Sequence, residues 1–135
     1  MAKVTKINHI GIAVSDLDEA LKFWRDILGI ELDHIEDVPS SKAKVAFLPV
    51  GDSDVELVIP ASEDAPIAKF IAEKGGGIHH LCIEVDDISA MLAQLKEKGV
   101  RLIDEEPKVM PGRKMAFIHP KATGGVLLEL YEITK

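Results

Sequence analysis

Cysteine is almost missing from this sequence, and its scarcity excludes a disulfide framework. The only cysteine, Cys82, has no possible intrachain partner, and a lone thiol is typical of a reducing compartment, so we expect a cytoplasmic protein. Aromatic residues are also scarce, at 4% of the chain, so aliphatic side chains must fill the core that a 47% hydrophobic content allows. No apolar run approaches the ~20 residues that a membrane-spanning helix needs, and we expect no membrane partner.

Positive charge is in the minority as well. The chain carries 16 basic and 23 acidic residues, for a net charge of −7. Because phosphate backbones repel such a protein, this balance disfavours a general nucleic-acid binder. One basic stretch, residues 108–121, contains Arg113, Lys114 and Lys121. It could hold an anionic ligand, and the alternative is a solvated basic surface.

The sequence contains two copies of one pattern. In residues 7–16, "INHIGIAVSD", apolar residues alternate with polar or small ones, as in a half-buried strand, and the apolar residues of 17–28 then follow helical spacing. Residues 78–87, "IHHLCIEVDD", and residues 88–98 repeat the same change of period. Both copies therefore predict a strand that leads into a helix.

Matching residues mark the same places in both copies. His9 and His80 stand near the start of the two strands and are 71 residues apart (80 − 9). Asp16 and Asp87, also 71 residues apart (87 − 16), stand where each helix begins. Aspartate is a preferred N-cap because its carboxylate accepts hydrogen bonds from the first free backbone N–H groups. We therefore interpret the chain as a duplicated unit.

Further strand-like stretches follow each helix and correspond between the copies. Residues 44–50 resemble 114–120, residues 54–60 resemble 125–132, and shorter strands are predicted near 30–36 and 100–105. We expect one α+β domain of two βαβββ modules, related by pseudo-twofold symmetry, with helices on one side only of a cupped mixed sheet. The predicted parts of this domain, residues 1–135, are module one at about 5–60, a linker helix within about 61–76, and module two at about 77–133.

Four polar side chains are expected on the face of the sheet away from the helices. Strand alternation places His9, Glu56, His80 and Glu129 opposite their apolar neighbours. In one cupped sheet, these two imidazoles and two carboxylates would form a metal site. The donor set suits a divalent first-row metal such as Co, Mn, Ni, Fe or Zn.

Simpler interpretations exist for each residue taken alone. A single histidine in a strand is more often structural than a ligand, and a glutamate in an alternating strand more often faces solvent. His79 has the parity of the helix-facing Ile83 and is expected to be structural. Cys82 lies on the ligand face, but Gly11 occupies the matching place in the first copy, so we expect Cys82 to be a packing residue. The repetition of the pattern favours the metal interpretation.

With these motifs the chain resembles the vicinal oxygen chelate superfamily, which contains glyoxalases, bleomycin resistance proteins and dioxygenases. The resemblance covers nearly the whole chain and rests on the paired modules, on "GGGIHHLCIEVDDI" and on "FIHPKATGGVLLELYE". Within the superfamily, the chain is most similar to the epimerases that act on methylmalonyl-CoA. The resemblance implies a homodimeric racemase/epimerase that interconverts (R)- and (S)-methylmalonyl-CoA by 1,1-proton transfer through a metal-stabilised enolate.

The resemblance also implies roles for individual residues. His9, His80 and Glu129 are the implied metal ligands, with Glu56 as the fourth. Glu129 and Glu56 are also the expected acid/base residues, because epimerisation needs proton removal on one face and delivery on the other. Some family members carry a glutamate as a base in the third strand of the first module, and this chain has Val45 there.

The acyl-CoA substrate requires contacts outside the metal site. Arg113, Lys114 and Lys121 are the candidate contacts to the CoA phosphates. His119 lies in the same stretch and is a further substrate-contact candidate. His119 or a water molecule could also replace Glu56 as proton carrier.

Other activities use related sites. The alternative enzyme is a glyoxalase I-type lactoylglutathione lyase, whose metal set can be the same His/Glu/His/Glu. A dioxygenase would use two histidines and one glutamate, so Glu56 as a fourth ligand disfavours it. A non-catalytic small-molecule-binding member of the superfamily is a third alternative, but such proteins tend to lack the full ligand set.

Overall fold

The structure is a computed structural model that describes residues 1–134. The described chain divides into two compact units: residues 9–79 form one, and residues 1–8 with residues 80–134 form the other. Within the described residues, none of the helices has the length and apolar character that crossing a lipid bilayer requires.

Residues 9–79 fold as a mixed sheet with helical segments. The strands are β1 (Val4–Ala13, whose first residues belong to the other unit), β2 (His34–Val38), β3 (Ala43–Val50) and β4 (Ser53–Pro60). The helices are α1 (Leu17–Leu21), which continues as a π-helical segment (Lys22–Ile27), a 3-10 turn (Pro39–Ser41), and α2 (Pro66–Lys74). Strands β2, β3 and β4 form an antiparallel meander, and β1 lies parallel to β4.

The first helix begins at its predicted cap and covers the predicted face. The Asp16 carboxylate accepts a hydrogen bond from the Glu19 N–H at 3.1 Å, which satisfies a backbone donor that has no helical partner. Leu21 then packs with Ile12 of β1 and Leu57 of β4. Ile12 and Leu57 have the parity predicted for the helix side, so this prediction is confirmed.

The second face of this sheet is partly covered too. Ala65 and Ile67, at the start of α2, pack against Ala13, Val45 and Val58. The expectation that helices cover one side only is therefore wrong for this unit. The linker helix has an apolar stripe of its own, and the free energy gained by burying that stripe holds α2 against this end of the sheet.

Residues 80–134 contain the second set of strands, again of mixed direction. The elements are β5 (Gly77–Val85, whose first residues belong to the other unit), α3 (Ile88–Glu97), β6 (Lys108–Met110), β7 (Arg113–Ile118), a 3-10 turn (Pro120–Ala122) and β8 (Leu128–Ile133). Strands β6, β7 and β8 form an antiparallel meander, and β5 lies parallel to β8. This is the pairing pattern of β1 to β4, so the predicted α+β class and the βαβββ repeat are confirmed.

The helix of the second copy is positioned in the same way as that of the first. The Asp87 carboxylate accepts a hydrogen bond from the Ala90 N–H at 3.0 Å. Ile88 and Leu92 of α3 pack with Leu130 of β8 in a buried apolar cluster. Because α3 covers this face, residues of the opposite parity on β5 and β8 lie on the face that α3 leaves open.

One predicted strand is misplaced. Residues 100–105 do not form a continuous strand; Leu102 makes an isolated bridge to Ile118, and the short strand β6 comes later. The reason is the side chain of Asp104, which accepts a hydrogen bond from the backbone N–H of Phe117 at 2.9 Å. This bond occupies a donor that a neighbouring strand would need, and aspartate commonly competes with sheet ladders in this way.

Candidate functional site

In the unit of residues 9–79, a histidine and a glutamate meet on neighbouring parallel strands. Nδ1 of His9 lies 3.0 Å from Oε2 of Glu56, and both residues are buried, with 1% and 8% of their surfaces exposed. Gly11 stands directly across from Glu56 in the β1–β4 register. Glycine adds no side chain to this face, so the imidazole two residues earlier is the group on β1 that meets the carboxylate.

The other unit contains an equivalent pair. Nε2 of His80 lies 3.4 Å from Oε1 of Glu129, and these residues are also buried. Cys82, which is fully buried, stands across from Glu129 in the β5–β8 register. The residue that stands across from the glutamate is Gly11 in one unit and Cys82 in the other, and in each unit the histidine comes two residues before it. The sequence repeat predicts this matching placement.

The spacing within each pair fits two ligands of one metal ion. At metal–ligand distances of about 2.0–2.2 Å, two donor atoms on one ion lie about 3 to 3.5 Å apart. The measured separations of 3.0 Å and 3.4 Å fall in this range. Imidazole nitrogen and carboxylate oxygen are donors that divalent first-row metals accept, so the chemistry of the residues fits as well.

Aromatic and basic side chains share the sheet face of Glu129. Phe117 of β7 stands across from Glu129, and its ring lies edge-on to the His80 ring at 6.4 Å between centroids. Tyr131, two residues beyond Glu129, contacts Arg113, whose Cζ atom lies 5.6 Å from the ring centroid. By strand parity all of these residues share the Glu129 face, so the structure brings the predicted contact Arg113 to that face.

The other basic candidates lie elsewhere. Lys114, next to Arg113 on β7, has the opposite parity and stands across from Glu132, so it is on the other face of the sheet. Lys121 is exposed in the 3-10 turn after β7. Lys114 therefore does not share the face of Glu129, and the roles of both lysines stay predictions.

His119 has a structural partner at the same turn. Its Nδ1 accepts a hydrogen bond from the Lys121 N–H at 3.0 Å, and so caps the 3-10 turn. Partial burial lowers the pKa of His119, and the positive charges of Arg101 and Lys121 lower it further. A neutral imidazole that accepts with Nδ1 fits this cap.

His79 is separated from its neighbour by strand alternation. Its ring packs edge-on against Phe70 of α2 at 4.9 Å between centroids, and burial lowers its pKa. This is an apolar environment, in agreement with the structural role expected for His79.

The sequence reasoning missed two polar residues on the face of Glu56. His34 of β2 stacks on Phe47 with ring centroids 4.3 Å apart, and Phe47 stands across from Glu56. Glu36 stands across from Val45, and its Oε1 lies 3.0 Å from Nε2 of His34. Alternation within "DHIEDV" could have revealed that His34 and Glu36 share a face, but not which strand they pair with.

A duplicated mixed sheet with a buried His–Glu pair in each copy is the arrangement expected of one enzyme class. A family model described as the Glyoxalase/Bleomycin resistance protein/Dioxygenase superfamily matches residues 8–117. The chain belongs to this superfamily, and the resemblance found in its motifs is confirmed.

Particular members of the superfamily are similar over nearly the whole chain. The mitochondrial methylmalonyl-CoA epimerase of Mus musculus is 42% identical over 130 residues, which cover 95% of this chain and 73% of that protein. The crystal structure of methylmalonyl-CoA epimerase from Mycobacterium tuberculosis matches with a TM-score of 0.89 and 39% identity, over 98% of this chain and 90% of that one. A methylmalonyl-CoA epimerase in complex with methylmalonyl-CoA and NH4+ matches with a TM-score of 0.87 and 35% identity, over 98% and 96%.

Proposed function

We propose that this protein is an enzyme that interconverts (R)- and (S)-methylmalonyl-CoA. The observation that carries the proposal is the buried His–Glu pair repeated in both units, His9 with Glu56 and His80 with Glu129. The identity to epimerases named for this substrate supports it further. The enzyme would act in the cytoplasm as a homodimer, on a small-molecule acyl-CoA, with no nucleic-acid or membrane partner.

The two pairs would together hold one divalent ion, with His9, Glu56, His80 and Glu129 as ligands. The support is the sequence repeat, the donor spacing inside each pair and the membership of the superfamily. Co, Mn, Ni, Fe and Zn all accept this donor set. When bound, the ion would supply a Lewis acid for the oxygen on which enolate charge develops.

The module boundaries and the pseudo-twofold relation between the modules also stay predictions.

The carboxylates would move the protons. Glu129 takes the α-proton from one epimer: the C–H bond breaks, the proton goes to a carboxylate oxygen, and the electron pair is delocalised onto the thioester oxygen. Glu56 then donates a proton to the opposite face of the α-carbon, which forms the other epimer. The two residues come from different modules, so they could flank the substrate on opposite sides. In the reverse direction they exchange roles.

Contacts with the CoA moiety would come from the basic stretch after α3. Lys114 and Lys121 are the proposed partners of its phosphates, and His119 is a further candidate contact at the same turn. Because the whole chain has a net charge of −7, local positive charge in this stretch would favour the binding of an anionic substrate.

A direct assay tests the proposed function. Each epimer of methylmalonyl-CoA is offered separately, with a coupling enzyme that consumes only the other epimer. The hemithioacetal of methylglyoxal and glutathione serves as the control substrate, because a glyoxalase I-type lyase can use the same kind of ligand set. Turnover of both epimers without turnover of the hemithioacetal is expected, and the reverse result would assign the lyase activity.

A further inference from the structure

Arg113 brings a positive charge to the sheet face that carries Glu129. In the β7–β8 register Phe117 stands across from Glu129 and Met115 across from Tyr131. Arg113 has the same parity as Phe117 and Met115, so its side chain starts from this face. Its Cζ atom lies 5.6 Å from the centroid of the Tyr131 ring, so the guanidinium lies over a residue only two positions from Glu129.

One donor of this guanidinium has no acceptor. Nε of Arg113 is buried, and no described residue accepts a hydrogen bond from it. The contact with the Tyr131 ring is made by the guanidinium as a cation and gives Nε no hydrogen-bond acceptor. Buried donors are nearly always paired in folded proteins, so an unpaired one next to a proposed active site indicates a ligand that supplies the acceptor.

We infer that Arg113 binds the free carboxylate of the substrate, and thereby selects a malonyl-type thioester over a simple acyl-CoA. This inference rests on the proposed function. The free carboxylate is bonded to the carbon whose proton Glu129 would move, whereas the CoA phosphates lie at the far end of a long flexible arm. Arg113 stands across from Ile133, and its guanidinium reaches back over the ring of Tyr131, which is one two-residue step of about 7 Å along β8 from Glu129.

The chemistry of the side chain fits this ligand. The planar guanidinium matches the two oxygens of a carboxylate, and such charge-assisted bidentate pairs are short and directional. Lysine cannot reproduce the geometry, because its ammonium is a point charge on a flexible stem. The neighbouring Lys114 is on the other face of the sheet and cannot substitute for Arg113 there.

A comparison of two thioesters distinguishes a contact with the carboxylate from a contact with the phosphates. Methylmalonyl-CoA and propionyl-CoA share all the phosphates and differ only by the free carboxylate. Dissociation constants of both are measured by calorimetry for the wild type, for Arg113→Met and for Arg113→Lys. Arg25→Met is the matched control, because Arg25 is an exposed arginine in the π-helical segment after α1.

Arg113→Met should weaken the binding of methylmalonyl-CoA by about tenfold or more, which is the scale of hydrogen bonds to charged groups. The dissociation constant of propionyl-CoA should not change. Arg113→Lys should recover only part of the loss, and it replaces the Met variant if that protein does not fold. Equal weakening of the binding of both thioesters would assign Arg113 to the phosphates and overturn the inference. Unchanged dissociation constants for both thioesters would also overturn it. An inactive wild type that still prefers methylmalonyl-CoA through Arg113 would reject the proposed function and leave this inference standing.

Discussion

Oε2 of Glu56 lies 3.0 Å from Nδ1 of His9, and both side chains are buried. This contact gives Glu56 two possible roles, because one oxygen of a carboxylate can hold a metal ion while the group still accepts a proton. Val45, where some superfamily members have a glutamate base, has no titratable group. The amide variant of Glu56 separates the two roles, since it keeps an oxygen ligand and loses the proton acceptor.

Glu56→Gln should retain metal but lower net epimerisation by at least ~100-fold, the usual scale for a lost general acid or base. The α-proton of one epimer should still exchange with deuterated solvent, because Glu129 remains. Glu129→Gln should show exchange only for the other epimer. Each epimer is incubated separately with the variant in deuterated solvent, and mass spectrometry measures the deuterium that it has incorporated. Epimerisation by Glu56→Gln at near the wild-type rate would make Glu56 a ligand only, and Glu36 of β2 would be the next residue to change.

The purified protein should contain about one divalent metal ion per chain, as expected of a site with nitrogen and oxygen donors. His80→Ala should lower the metal content after dialysis, because it removes a proposed ligand. His79→Ala is the neighbouring control and should have much less effect, since its ring packs on Phe70. Elemental analysis of both variants, with circular dichroism to check folding, tests this. Equal metal loss in the two variants would contradict the assignment of His80 as the ligand.

Lys114→Met combined with Lys121→Met should raise KM more than it lowers kcat. Contacts to the CoA phosphates are made equally in the ground and transition states, so they contribute to binding and not to the chemical step. Steady-state kinetics with methylmalonyl-CoA checks this, and the single variants assign the effect between the two lysines. If KM does not change in the double variant, both residues belong to a solvated surface.

Gly76→Ala should lower the free energy of unfolding more than Gly75→Ala. Both glycines have positive φ, +95° and +80°, and an L-residue in left-handed backbone costs about 1–2 kcal/mol. A Cβ at Gly76 would also lie 3.0 Å from the backbone oxygen of Ala13, whereas nothing lies within 4 Å at Gly75. Urea unfolding of the two variants measures the difference, and equal destabilisation would mean that the contact with Ala13 relaxes without cost.

His34 should make stability depend on pH. The hydrogen bonds that its imidazole donates to the carboxylates of Asp33 and then of Glu36 raise the pKa of His34 above its usual value of 6.5. A histidine with a raised pKa in the folded state contributes stability that is fully present below the unfolded pKa and is lost as pH rises through the folded pKa. The unfolding free energy of His34→Asn should therefore fall further below that of the wild type at about pH 5.5 than at about pH 8. A difference that is the same at both pH values would show that the charged form gains nothing from Asp33 and Glu36.

Local patterns in the sequence determined much of this protein. The period-two stretches predicted the strands that carry His9, Glu56, His80 and Glu129, and the caps Asp16 and Asp87 predicted where the helices begin. These predictions succeed because alternation and capping involve residues only a few positions apart. The side of each strand on which a polar residue lies follows from the same local rule.

Only the tertiary structure decided which residues stand across from one another. The strand at 108–110 replaces the one expected near 100–105 because Asp104 bonds to Phe117, and α2 covers part of a face expected to be open. Neighbours on one strand must lie on opposite faces, but the register of β7 against β8 decided that Arg113, and not Lys114, shares the face of Glu129. Register depends on hydrogen bonds and packing between segments far apart in the chain, and a pattern within one segment does not contain that information.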